Sequence, residues 1–469
     1  MTELPSKLNI IEPIAEAPFE GDMLDRAKYT YVLRGIVDTY ANEGCVLSIN
    51  GDWGTGKTTF VKMWRMEMEK FSYRTIYFNA WENDYISDPL IAIMGELKDI
   101  LGDNDKYNSV ISKVARIVSG IGFAVAEAAV KQTTGVSAEV LQGAINATDS
   151  IVLESIKEYG EQKGSLLEFK KVLSEYVADV REGQKYPLIF IIDELDRCNP
   201  HYAVKVLERI KHLFDIPNII FVLPISKSQL ECSIKGFYGS ENIDASNYLR
   251  RFIDLEYELP QPNIEKFCDH LFEHYGFEEV FKNTNYHDRQ SDNIENFKGC
   301  VKRLFTRTGI DLRTLDKIYS RTRLVVQTTN GQYNTQLDVI FFLCYLRTLY
   351  FDIYDNMRSH KYTLQELVST IERIFPRPLM DHQSCDNFDA HGFTYTIADI
   401  LYAYNIAPGG EHEPGVLPKS NEEPLNLKLN VFTSDQLHDA LIYTHRNPHS
   451  RMNYFSNTFQ IIDLLNGLR

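Results

Sequence analysis

Gly51-Asp52-Trp53-Gly54-Thr55-Gly56-Lys57-Thr58 sets a glycine, four free positions, a second glycine, a lysine and a threonine in a row. That is the spacing of a phosphate-binding P-loop. The residue types state the chemistry. Gly51, Gly54 and Gly56 let the backbone wrap a phosphate chain, and the amides from Gly54 through Thr55 to Thr58 turn inward toward its oxygens. Thr59 continues the first turn of the following helix, whose unpaired N–H groups and positive dipole end favour the same anion. Lys57 is the point charge for the β- and γ-phosphates, the Thr58 hydroxyl is a Mg²⁺ ligand, and Trp53 stands inside the loop. The ligand implied is ATP with Mg²⁺. The elements around the loop suit it. Cys45-Val46-Leu47-Ser48-Ile49-Asn50 reads as a buried strand before it, and Phe60-Val61-Lys62-Met63-Trp64 opens a helix after it.

A second site lies far down the chain. Leu188-Ile189-Phe190-Ile191-Ile192-Asp193-Glu194 is an apolar strand that ends in two acids. A buried strand has little reason to carry carboxylates except at its carboxyl end, where ligands of open α/β sheets sit. Asp193 is placed to hold Mg²⁺ through water, and Glu194 to orient and deprotonate an attacking water.

Three words in order now resemble the KAP family of P-loop NTPases. They are the P-loop with its internal Trp53, Phe78-Asn79-Ala80-Trp81 on the next strand, and Asp193-Glu194-Leu195-Asp196-Arg197-Cys198. The family is named after an animal ankyrin-repeat scaffold protein and a plasmid-encoded phage-exclusion protein. The resemblance covers roughly residues 20–260, with a weaker echo near Leu312-Arg313. It implies an ATPase core with one strand between the P-loop strand and the Walker B strand, a long insertion between those motifs, and a role in bacterial phage or plasmid defence. Asp196-Arg197 has a role by resemblance; physically, the two are expected to orient one another. Family members often carry an Asp after the strand that follows Walker B. Here Ser226 and Lys227 stand there, with Ser226 as a polar sensor of the γ-phosphate.

Strands alternate with helices through the first 260 residues, at 45–50, 75–78, 188–192, 219–225 and 253–257, which implies a parallel sheet covered on both faces. Pro260-Gln261-Pro262-Asn263 ends that core. The expected organisation is a P-loop NTPase core at 1–260 with an insertion at about 102–165, a helical, lid-like segment at 261–330, and a helical C-terminal domain at 331–469. Helical patterns occur at 264–275, 294–307, 312–323, 337–354, 364–375 and 459–468, and 337–346 is apolar nearly all round. In the insertion, the uncharged run at 117–126 is near half of the roughly 20 residues a membrane span needs. No transmembrane span is expected; the run reads as a small-residue helix packed on a neighbour, with a membrane-surface segment as the alternative.

A formal net charge of -16 argues against broad binding to nucleic acid or anionic lipid. The local exception is the basic stretch 298–323, in which Arg313, Lys317 and Arg321 share a helix face. Seven scattered cysteines, with Cys45 and Cys344 inside apolar elements, read as reduced thiols of a cytoplasmic protein, peripheral to a membrane if the insertion lies on one. Hydrolysis needs a cation on the transition state. Arg250 and Arg251, just before the fifth strand, are candidates to reach a neighbouring subunit of a homo-oligomer; Arg313 resembles a lid arginine that acts within its own chain. No nuclease, protease or deaminase constellation follows the core. The leading expectation is therefore an ATPase that couples hydrolysis to assembly or to control of a protein partner. A nucleotide-dependent switch or scaffold with little turnover and a membrane-associated structural protein are the other two classes.

Overall fold

A computed structural model gives the fold and describes residues 13–86, 88–101, 170–171, 174–175, 186–211, 216–282, 290–306, 309–328, 337–374, 387–407, 413–446 and 454–465. The expected insertion at about 102–165, with its apolar run, lies outside the described residues. So do Arg307 and Thr308. Two compact units divide the chain: Ile11–Asp22 with Arg26–Gln261, and Met23–Asp25 with Pro262–Arg469.

The first unit is built on one parallel sheet of five strands, β1 (Cys45–Asn50), β2 (Arg74–Asn79), β3 (Leu188–Asp193), β4 (Ile219–Ile225) and β5 (Leu255–Glu258), in the order β2-β3-β4-β1-β5. β4 therefore lies between the P-loop strand and the Walker B strand, as the family resemblance implies. β3 and β4 are buried at every residue, which is why both are uninterrupted apolar runs. The shorter edge strand β5 alternates half-buried and exposed residues.

Period-two alternation sorts the strand side chains to two faces. On one, Leu47, Ile49, Ile191 and Val222 pack with Leu33 and Val37 of α1 (Thr30–Thr39) and with Phe60, Val61 and Trp64 of α2 (Lys57–Lys70). On the other, Val46, Phe190, Ile192 and Phe221 meet α3 (Pro89–Leu101), α4 (Pro200–Lys211), α5 (Lys227–Tyr238) and the short α6 (Ala245–Leu249). The register sets Asn79 beside Asp193 and Asn50 beside both Ile225 and Glu258, so the carboxyl ends of the strands line up.

The regular structure described in the second unit is all helical: α7 (Ile264–His274), α8 (Phe277–Lys282), α9 (Gln290–Thr306), α10 (Leu312–Thr328), α11 (Leu337–Leu349), α12 (Phe351–Arg358), α13 (Leu364–Ile374), α14 (Asn387–Ile406), α15 (Ser434–Arg446) and α16 (Tyr454–Leu465). α11 is buried from Val339 to Leu346, so its apolar circumference is matched by neighbours on every side. The single helix expected at 337–354 is two helices. Tyr350 leaves helical geometry at φ -134 and ψ 59, which turns the chain between them. Buried Glu372 of α13 accepts from the main-chain N–H groups of Asn430 (2.7 Å) and Val431 (2.7 Å), tying an irregular segment to the helices. No described helix is long and apolar enough to cross a membrane.

Candidate nucleotide site

The P-loop is fixed where it leaves β1. The Asn50 side chain donates to Glu258 (2.8 Å) and accepts from the Lys227 amide (2.9 Å), and the Gly51 amide donates to the Ile225 carbonyl (3.2 Å). Gly54 at φ 76 and Gly56 at φ 83 then take left-handed geometry that would cost another residue about 1–2 kcal/mol. α2 begins directly at Lys57. The Lys57 ammonium lies back over the loop, donating to the carbonyls of Gly51 (2.5 Å) and Asp52 (3.0 Å). Burial lowers its proton affinity, the charge of Arg197 acts in the same direction, and Asp196 and Asp193 oppose both.

Behind the loop stands Arg26, 1% exposed, whose guanidinium donates to the carbonyls of Thr55 (2.6 Å) and Pro260 (2.8 Å). Burial depresses its pKa to about 10, against the opposing field of Asp22. Sequence reasoning missed Arg26, because a lone arginine well before the loop carries no local pattern.

Asp193 ends β3 and is buried. Its carboxylate accepts from the Tyr77 hydroxyl (2.8 Å), from the Glu194 amide (2.8 Å) and from the Thr58 hydroxyl. Burial raises its proton affinity, and these hydrogen bonds oppose the rise. Thr58 and Asp193, far apart in sequence, thus meet. A hydroxyl on a buried carboxylate whose proton affinity is raised fits a hard, oxygen-seeking cation such as Mg²⁺. Tyr77, absent from the sequence-based site, is a half-buried residue inside β2 between the buried Ile76 and Phe78.

Glu194 turns the chain off β3 in left-handed geometry (φ 59, ψ 24), unusual for a residue with a side chain and costing about 1 kcal/mol or more. One 3₁₀ turn, Leu195–Arg197, follows. It brings Arg197 Nη1 to 2.5 Å from Glu194 Oε1, and the guanidinium lies 5.9 Å from the Trp81 ring centroid. Asp196 and Arg197 do not orient one another as expected. Asp196 instead accepts from Trp53 Nε1 (2.6 Å) and from the Ser226 amide (3.0 Å), joining the P-loop to the end of β4. Trp53 and Trp81 are 47% and 51% exposed, so neither is a core residue. Ser226 is buried beside the loop, its hydroxyl 3.2 Å from that of Ser228. Asn79 accepts from the amides of Trp81 (3.1 Å) and Glu82 (3.3 Å) and so caps its own turn. Thr59 occupies the first turn of α2, half-buried.

Two of the candidate arginines lie elsewhere in the first unit. Arg250 and Arg251 are exposed and precede β5, whose Leu255 pairs with Leu47; the P-loop leaves β1 at its other end. They sit at the amino ends of the strands, away from this chain's own loop. Arg313 is exposed at the start of α10 in the second unit, its amide donating to Asp311 (3.0 Å). In the basic stretch, Lys298 and Lys302 face Asp269 (3.8 and 2.9 Å), Arg321 donates to Thr348 (2.9 Å) and Arg323 to the Tyr275 carbonyl (2.8 Å). Much of that charge is therefore engaged within the unit.

The profile of the KAP family P-loop domain matches residues 26–372. No curated protein matches the chain. Among solved structures, the Aeropyrum pernix ORC2 protein in its ADPNP–ADP complexes is similar with a TM-score of 0.35 at 11% identity, over 94% of each chain.

Proposed function

This chain belongs to the KAP family of P-loop NTPases, and from that premise we propose that it is a Mg²⁺-dependent ATPase whose hydrolysis drives assembly or the control of a protein partner. The observation that carries the reading is the meeting of Thr58 with Asp193 directly beside Lys57 and Glu194, at the carboxyl ends of β1 and β3. Thr58 and Asp193 would hold Mg²⁺, which when bound neutralises charge on the β- and γ-phosphate oxygens. Lys57 exchanges the carbonyls of Gly51 and Asp52 for phosphate oxygens. Glu194 orients the attacking water and takes its proton. Ser226, bonded through Asp196 to Trp53, is placed to register the state of the loop.

A nucleotide switch with little turnover is the second reading, favoured by the ion pair that engages Glu194. A role in phage or plasmid defence is supported only by resemblance to the family's exclusion member. Hydrolysis assays with ATP and Mg²⁺ decide between the two readings. Lys57→Ala should lose ATP binding with its fold intact, and Glu194→Gln should bind ATP while turnover falls more than about tenfold. ATP binding without Mg²⁺-dependent hydrolysis in the wild type would select the switch.

A further inference from the structure

We propose that Arg197 is the arginine that completes this nucleotide site from within its own chain, and that its turn toward the γ-phosphate releases Glu194 for catalysis. The inference deepens the ATPase reading and rests on it.

Position singles out Arg197 among the described arginines of the first unit. Arg26 is engaged with the carbonyls of Thr55 and Pro260 behind the loop. Arg34, Arg65 and Arg209 pair with Asp38, Glu69 and Asp88. Arg74 opens β2, and Arg250 and Arg251 precede β5, all at the amino ends of strands. Arg197 alone stands at the carboxyl ends, in the turn that leaves β3, with its charge felt at Lys57.

Its present contacts suit an exchange. Two cations that feel each other's charge, Lys57 and Arg197, are held differently, the first by loop carbonyls and the second by one carboxylate. A γ-phosphate brings more negative charge than that carboxylate and accepts the guanidinium fork in two places. The half-exposed Trp81 ring beside the guanidinium offers a flat surface along which it can move. While the pair is closed, Glu194 Oε1 engages the guanidinium instead of a water, and Arg197 engages a carboxylate instead of a phosphoryl group. One movement corrects both.

The chemical step then balances without another reactant. The water oxygen bonds to the γ-phosphorus as the bond from that phosphorus to the bridging oxygen breaks. The electron pair of the broken bond stays with ADP. The water proton passes to Glu194 and from there to the released phosphate. Arg197 and Lys57 stabilise the charge on the equatorial oxygens throughout.

The test uses the full chain with Mg²⁺, comparing ATP binding, binding of ADP with aluminium fluoride (a mimic of the transferring phosphoryl group), and turnover. Arg197→Ala should bind ATP within about threefold of wild type, lose the extra affinity for the mimic, and hydrolyse about 10³-fold more slowly. Arg197→Lys should recover little, since an ammonium cannot span two oxygens. Mixing Arg197→Ala with Lys57→Ala should restore nothing, because the arginine acts in its own chain. Thermal unfolding checks the fold, and Arg197→Gln carries the same comparison if the alanine variant does not fold. Turnover of Arg197→Ala equal to or faster than wild type, in a wild type that hydrolyses ATP, overturns this proposal alone. A wild type that binds ATP and does not hydrolyse it overturns the ATPase reading and this proposal with it.

Discussion

Arg26→Met asks how firmly the P-loop is held from behind. Methionine nearly matches the length of arginine, and it removes the charge and every donor. In the wild type the guanidinium gives charge-assisted hydrogen bonds to two main-chain carbonyls, at 2.6 and 2.8 Å, from a residue 1% exposed. Such bonds contribute about 1.5–3 kcal/mol each, so the pair supplies about 3–6 kcal/mol. Burial opposes them: a pKa depressed to about 10 corresponds to about 3 kcal/mol against the charged form. Nε also lies buried without a partner. The balance favours arginine, and methionine should destabilise the first unit by about 2 kcal/mol. For a unit of this size that lowers Tm by about 4–8 °C. Because Thr55 lies inside the loop, ATP affinity should fall about tenfold as well, read by titration of the folded variant. Arg26→Lys, which can reach one carbonyl at most, should fall between. A methionine variant with unchanged or higher Tm and unchanged ATP affinity would refute the reasoning, since burying the charge would then outweigh the hydrogen bonds.

Two further predictions follow from the same site. Asp193→Asn should abolish Mg²⁺-dependent hydrolysis by more than about 100-fold, yet raise the Tm of the nucleotide-free protein. Burial makes the folded chain hold this proton more tightly than the unfolded chain, so the charge weakens the fold as pH rises above the ordinary carboxylate range. The asparagine variant should lose that slope, measured by thermal unfolding across pH without Mg²⁺. Arg250 and Arg251 precede β5 at the amino ends of the strands, away from this chain's own loop. With Arg197 acting in its own chain, turnover per subunit should be flat on dilution; a rise with concentration that Arg251→Ala removes would assign these residues to a homo-oligomer interface instead.

The P-loop and the Walker B strand were readable because backbone wrapping and strand burial each force residue types at fixed spacing. Gly54 and Gly56 take positive φ, and Leu188–Asp193 is buried at every position. Contacts from distant chain were not readable. Arg26 and Tyr77 reach the site through tertiary folding, and nothing local announces them. Neighbours in sequence also misled. Asp196 and Arg197 are adjacent, so they point apart on a 3₁₀ turn, whereas residues three apart eclipse and bring Arg197 onto Glu194. In the second unit, α11 announced itself by its unbroken apolar run. α14 did not, because Thr394, Tyr395 and Thr396 are weak helix formers; the packing of Phe393, Ile397 and Leu401 decides it.

The sheet order has a consequence for how the protein is made. β1 pairs with β4 and β5 and with neither of the strands that come next in the chain. The ribosome therefore delivers the most buried part of the P-loop strand long before anything exists to lie beside it. At about 5–20 residues per second, the wait for Ile219–Ile225 is on the order of ten seconds or more. Through that interval Cys45–Ile49 is an apolar segment with open hydrogen-bonding edges, the kind of stretch that chaperones bind and that stray chains pair with. A nascent chain stalled before residue 219 should be captured by such factors, and one released after residue 258 should not.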